Sequence, residues 1–161
     1  MKITMEQWGA LGLLLIVFFV ALAQSFTYPL PSLCGDSLEC RVLLVNATKD
    51  ISFCTGFNQS SECALRSALA LRNTSPCNMT VNSSECVFAV AKSLVKPELC
   101  LQIPQTGECV FQIAYENQNS SLCEVLVTDK ERCYFSYALA YKSKELCSKT
   151  GRYQQTCLKR T

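Results

Sequence analysis

The chain has 161 residues, a formal charge of +2, 12 cysteines and no histidine. That length accommodates one domain, and so slight a net charge excludes the strong field expected of a nucleic-acid-binding protein. Without histidine the usual general base and metal ligand is missing, whereas the cysteine density approaches that of disulfide scaffolds.

The chain opens MKITMEQWGALGLLLIVFFVALAQ, apolar without a break from Trp8 to Ala23. As a helix this run spans ~24 Å, short of the ~30 Å bilayer core. Ala21 and Ala23 stand where signal peptidase prefers small residues, and no basic stop-transfer cluster follows. Residues 1–23 are therefore expected to be a signal peptide, with an uncleaved signal-anchor helix, and so a membrane attachment, as the alternative. Residues 24–31 read as a linker and 32–161 as a disulfide-rich α-helical repeat domain. In either case the domain is extracellular or at the cell surface.

From Cys34 the cysteines fall on a beat. After Cys34 and Cys40 come Cys54, Cys63, Cys77, Cys86, Cys100, Cys109, Cys123, Cys133, Cys147 and Cys157, in alternating steps of 14 and 9 or 10. A unit of 23 or 24 residues recurs, the range of stacked repeats. Other positions keep the register: Glu39, Glu62, Glu85 and Glu108 precede the second cysteine of a unit, and Val45, Ala68, Ala91, Ala114 and Ala138 follow it by five.

Within a unit, Val87, Val90, Ala91 and Leu94 fall at i, i+3, i+4 and i+7, and so do Tyr134, Tyr137, Ala138 and Tyr141. That spacing predicts a helix after each second cysteine. Phe88, Phe111 and Phe135 lie one position along and widen the stripe, so each helix expects neighbours on two sides. A second, shorter helix of one or two turns is expected at KDISFC, TSPCNMT, KPELCLQI and SSLCEVL, which open on Asp, Ser or Pro. No alternating run competes as a strand. The fold class is all-α: an α-solenoid of about six short helical hairpins after an N-terminal hydrophobic helix. In the first unit Arg41 takes an apolar position, and the last ends in polar CLKRT; both read as caps.

Cysteines fourteen apart on a continuous helix would stand up to ~21 Å apart, beyond the reach of a disulfide. Those nine or ten apart flank the turn between a short helix and the next long one, where antiparallel packing brings them together. The expected pairs are Cys54–Cys63, Cys77–Cys86, Cys100–Cys109, Cys123–Cys133 and Cys147–Cys157, with Cys34–Cys40 closing the cap. Bridges between successive units fit the count equally well but demand a different stacking angle. Zinc and redox sites are disfavoured, because close Cys pairs and Cys-x-x-Cys are absent.

Six of the seven asparagines, Asn46, Asn58, Asn73, Asn78, Asn82 and Asn119, stand in Asn-x-Ser/Thr sequons. N-linked glycans are expected on several, each facing solvent.

The pattern Leu-Cys, eight or nine residues, Cys, four residues, Ala is met at Leu99, Cys100, Cys109 and Ala114, and again at Leu122, Cys123, Cys133 and Ala138. It resembles short cysteine-stapled αα-repeat proteins encoded in archaeal genomes, over roughly residues 33–157. That resemblance implies an exported helical repeat protein and carries no assigned activity. The nine-residue intervals at the end also resemble twin C-x9-C proteins of the mitochondrial intermembrane space, but the shorter earlier intervals, the leader and the sequons exclude them.

No constellation for catalysis is present, and neither a phosphate loop nor a cofactor is expected. The recurrent glutamates suit helix amino ends. Residues 120–161 carry eight Lys or Arg against four Asp or Glu and no sequon. Lys142, Lys144, Lys149, Arg152 and Tyr153 are there either a solvated basic face or a contact surface for a protein partner or a second copy. The expected role is a non-enzymatic structural or assembly subunit, a filament or coat glycoprotein; the alternative is a monomeric secreted or anchored binding or adhesion module.

Overall fold

The computed structural model describes residues 34–161. The expected leader helix (1–23) and linker (24–31) lie outside the described residues. Among these, every regular element is helical. Six α-helices follow in order: α1 (Leu38–Thr48), α2 (Ser60–Leu71), α3 (Ser83–Leu94), α4 (Thr106–Glu116), α5 (Lys130–Tyr141) and α6 (Gln154–Arg160). Short helices at Ile51–Cys54, Ser75–Met79, Pro97–Gln102, Ser120–Val125 and Lys144–Lys149 alternate with them, and a turn at Gly151–Tyr153 leads into α6.

The short helices expected at these positions are present, and they are 3-10 helices. Their side chains and spacing explain this. Asp50 and Asn119 accept from the backbone N–H two residues on, which tightens the first turn. At the other end the carbonyls of Cys77, Cys100, Cys123 and Cys147 accept from Thr80, Ile103, Leu126 and Thr150, three residues later. A three-residue period lets the chain reverse within four to six residues and return its cysteine to the next long helix.

Six disulfides join Cys34–Cys40, Cys54–Cys63, Cys77–Cys86, Cys100–Cys109, Cys123–Cys133 and Cys147–Cys157, with Cα atoms 5.4 to 5.8 Å apart. They are the pairs that the helix geometry selects, and each lies inside one unit. All-paired cysteines at this density belong to an oxidising compartment. No helix among the described residues is long and apolar enough to cross a membrane.

Each long helix packs on the long helix before and after it and on the short helices flanking it. Val45, Ala68, Ala91, Ala114 and Ala138 are completely buried at these crossings, where a small side chain lets helix axes approach. The same alanines also end the helices. The carbonyls of Ala68, Ala91, Ala114 and Ala138 accept from Asn73, Lys96, Asn119 and Ser143, and those of Leu69, Lys92, Tyr115 and Leu139 from Arg72, Val95, Gln118 and Lys142. These are Schellman closures, which require a left-handed residue just past the helix.

No glycine fills that position. Arg72, Val95, Gln118 and Lys142 adopt φ of 54, 53, 50 and 52°. Val95 is the most strained choice, because a β-branched side chain crowds the backbone there. The residue is 42% exposed, so truncating it forfeits only part of a valine's burial. Val95→Gly is therefore expected to stabilise the chain by ~1 kcal/mol, the relieved strain exceeding the added chain entropy; the midpoint of a urea titration measures it.

Arg41, at the apolar position of the first unit, is buried, 8% exposed. Its Nε and Nη2 donate to the Gly35 carbonyl at 3.0 and 2.8 Å, and its Nη1 to those of Phe53 at 3.0 Å and Thr55 at 3.4 Å. The guanidinium also lies over the Phe57 ring, 4.5 Å from its centre. One planar fork thus ties the start of the first unit to the loop that closes it.

Candidate functional site

The units repeat in register, and so do the spaces between them. Grooves of about 380, 350 and 270 Å³ run between α2 and α3, α3 and α4, and α4 and α5. In each, the residue two beyond the second cysteine comes from the earlier helix: Leu65, Phe88, then Phe111. The opposite wall carries the residue three beyond: Ala89, Gln112, then Ser136. Each wall also carries the residue before the second cysteine, so Glu62 faces Glu85, Glu85 faces Glu108, and Glu108 faces Arg132 across successive grooves.

The glutamates therefore stand in the first helical turns, as their amino-end reading requires, and also rim a row of apolar-floored grooves. Glu62 is spoken for by Arg66, whose Nε lies 2.7 Å away, while Arg66 Nη1 reaches Glu39 at 3.5 Å. Glu85 and Glu108 make no ion pair among the described residues. At Arg132 the charge at this repeated position changes sign, opposite Glu108.

All six sequon asparagines are exposed. At Asn73 and Asn119 the side-chain oxygen accepts from both the backbone N–H and the hydroxyl of the serine two residues on, at 2.9 and 3.0 Å and at 3.1 and 2.6 Å. Those bonds leave the amide nitrogen, the atom that carries an N-linked sugar, unused. Asn82 caps α3 and lies on the rim of two grooves.

The basic residues of the last units, Lys142, Lys144, Lys149 and Arg152, are all exposed and differ in their neighbours. Lys142 and Lys144 are exposed and make no ion pair among the described residues. Lys149 instead lies 5.0 Å from the centre of the Tyr134 ring and 4.0 Å from Glu124. Tyr153 stacks on Phe135 at 5.2 Å, and Arg152 lies over Tyr153. Of the tyrosines, Tyr134 and Tyr137 are buried in the stack, whereas Tyr141 is half-buried, packs on Tyr115 at 5.3 Å and donates its hydroxyl to the Tyr115 carbonyl.

Glu124 ties this end together. Lys130 Nζ donates to it at 2.7 Å and the Tyr134 hydroxyl at 2.6 Å. The Lys130 bond, then the Tyr134 bond, hold its carboxyl below the usual carboxylate range. Burial first, and Glu124 second, push the Tyr134 phenol up. A lowered carboxyl contributes stability above its unfolded value of about 4.3 and loses it as pH falls through the folded value. A raised phenol contributes below its unfolded value of about 10 and loses it as pH rises toward the folded value. The melting temperature is expected to fall on both sides of a neutral plateau, with Glu124→Gln flattening the acid limb and Tyr134→Phe the alkaline one.

Every buried side-chain polar atom among the described residues has a hydrogen-bond partner. No group of three or more Cys, Asp or Glu among them is placed to hold a metal. The grooves present carboxylates and amides above apolar floors. No protein family, curated protein or solved structure matches the chain.

Proposed function

We propose that the chain is a non-enzymatic, exported glycoprotein whose units form an α-solenoid, and that it works as a structural subunit of an extracellular coat or filament. The observation that carries this reading is that each internally stapled unit packs chiefly on its sequence neighbours. Such an array resembles a rod more than a ball, and its length is set by the number of units. A staple inside every unit suits a place outside the cell, where no chaperone repairs damage. The absence of histidine from the sequence and the full pairing of buried polar groups leave little for catalysis to use. The Leu-Cys, Cys and Ala register fits an exported repeat protein of the archaeal kind.

The row of grooves favours a second reading, a monomeric binding or adhesion module that lays an extended partner across successive helices. Light scattering on the purified, glycosylated full chain, with negative-stain images, separates the two. Oligomers or filaments are expected. A monomer that persists at high concentration removes the assembly role and leaves the binding module.

A further inference from the structure

Asn82 stands at the mouth of two grooves, and of these only the one between α3 and α4 has an aromatic floor, Phe88, where the α2–α3 groove has Leu65. Asn82 lines the α3–α4 groove together with Phe88, Ile103, Gln105, Glu108 and Gln112. The asparagine is aimed by two bonds to one residue: Oδ1 accepts the Glu85 backbone N–H at 3.3 Å, and Nδ2 donates to Glu85 Oε2 at 3.1 Å. Both bonds survive glycosylation, because an N-linked amide keeps its oxygen and one N–H. A sugar attached there leaves from a held point on the groove's rim rather than from a swinging side chain.

We propose that the glycan carried by Asn82 folds back into the α3–α4 groove, which is thus an intramolecular carbohydrate site for the first sugar rings. The proposal rests on the reading of the chain as a glycoprotein. A hexose ring presents a C–H face and an edge of hydroxyls. The groove presents a half-buried aromatic ring, Phe88, and a buried Ile103 below, with the amides of Gln105 and Gln112 and the carboxylate of Glu108 at its sides. Apolar walls with a few placed polar groups are the usual makeup of a small-ligand site, and the amides offer both donors and acceptors to hydroxyls. Glu108 has no ion pair among the described residues to compete for it.

Attachment supplies what so open a groove lacks. A covalently held ligand meets its site at an effective concentration on the order of millimolar, so contacts too weak to retain a free sugar suffice for one already tethered. The α4–α5 groove, whose rim carries Asp129 and Arg132 and no sequon asparagine, stays open.

The test is native-state deglycosylation of the full chain made in a glycosylating host, with site occupancy followed by mass spectrometry. Release from Asn82 is expected to be about tenfold slower than from Asn46, which is exposed in the last turns of α1, the factor expected of one or two net hydrogen bonds with an apolar contact. Phe88→Ala should abolish the difference. Because Phe88 also packs on the core, Gln112→Ala serves as the milder variant and should narrow it. Equal rates at the two asparagines, or a slow Asn82 indifferent to both substitutions, would overturn the proposal. An Asn82 that alone carries no sugar also overturns it, and leaves the glycoprotein reading standing. Sugar absent from all six sequons removes that reading as well.

Discussion

Reduced under otherwise native conditions, the chain is expected to lose its helical circular-dichroism signal at temperatures where the oxidised protein stays folded. The helices are 7 to 12 residues long, at or below the ~12–15 residues at which isolated helices become even marginal. The buried cluster they share, from Ala68 to Tyr137, is built largely of alanine, valine and the cysteines themselves, so it compensates only in part. Each nine- or ten-residue loop closed by a disulfide stabilises by ~2.7 kcal/mol in the chain-entropy account. The six together amount to something on the order of 15 kcal/mol, as much as the whole stability of an ordinary domain. Replacing Cys100 and Cys109 alone by alanine is expected to cost about 3 kcal/mol, read as a lower denaturant midpoint. A fully reduced chain that kept its helices would show that packing alone suffices.

Arg41→Leu is expected to be the most damaging single substitution outside the cysteines, costing ~3–4 kcal/mol. It removes the donors of the Gly35, Phe53 and Thr55 carbonyls, and an unmatched buried polar group costs ~1–3 kcal/mol. Arg41→Lys should not rescue it, since one ammonium cannot reproduce a planar fork that reaches carbonyls on both sides. The damage should stay local. Hydrogen exchange is expected to quicken in α1 and at the Ile51–Cys54 turn while α3 to α5 keep their protection, because units pack chiefly on their neighbours. Uniform loss of protection would mean that the stack melts as one body.

The helices and their staples were legible because one period governs both. Val87, Val90 and Ala91, and likewise Val110, Ile113 and Ala114, are spaced for one helix face, and that face is buried. The helix ends were less legible. Arg72, Val95, Gln118 and Lys142 hold the left-handed position that glycine usually marks, so neither composition nor turn chemistry flagged it. Arg41 read as a departure from the pattern, but its partners at Phe53 and Thr55 lie 12 and 14 residues away and exist only once the first unit closes. The grooves were hidden for the same reason. Phe88 and Glu108 sit in different units, and their facing each other depends on how α3 and α4 are rotated about their axes, which no single-helix pattern contains. Within the basic run near the end, the contacts of Lys149 with Tyr134 and of Tyr153 with Phe135 join residues 15 and 18 apart, which the sequence alone does not pair.

Every bond between sulfurs joins a cysteine to the very next one in the sequence. A polypeptide threading into an oxidising lumen can therefore seal each loop as it emerges, with the correct thiol always the nearest unused one. Order of arrival then favours the native pairs over scrambled isomers, the usual hazard of so many thiols. The same arrangement lets a gene gain or lose a whole repeat without leaving an orphan thiol, so lineages could lengthen or shorten the protein in single steps.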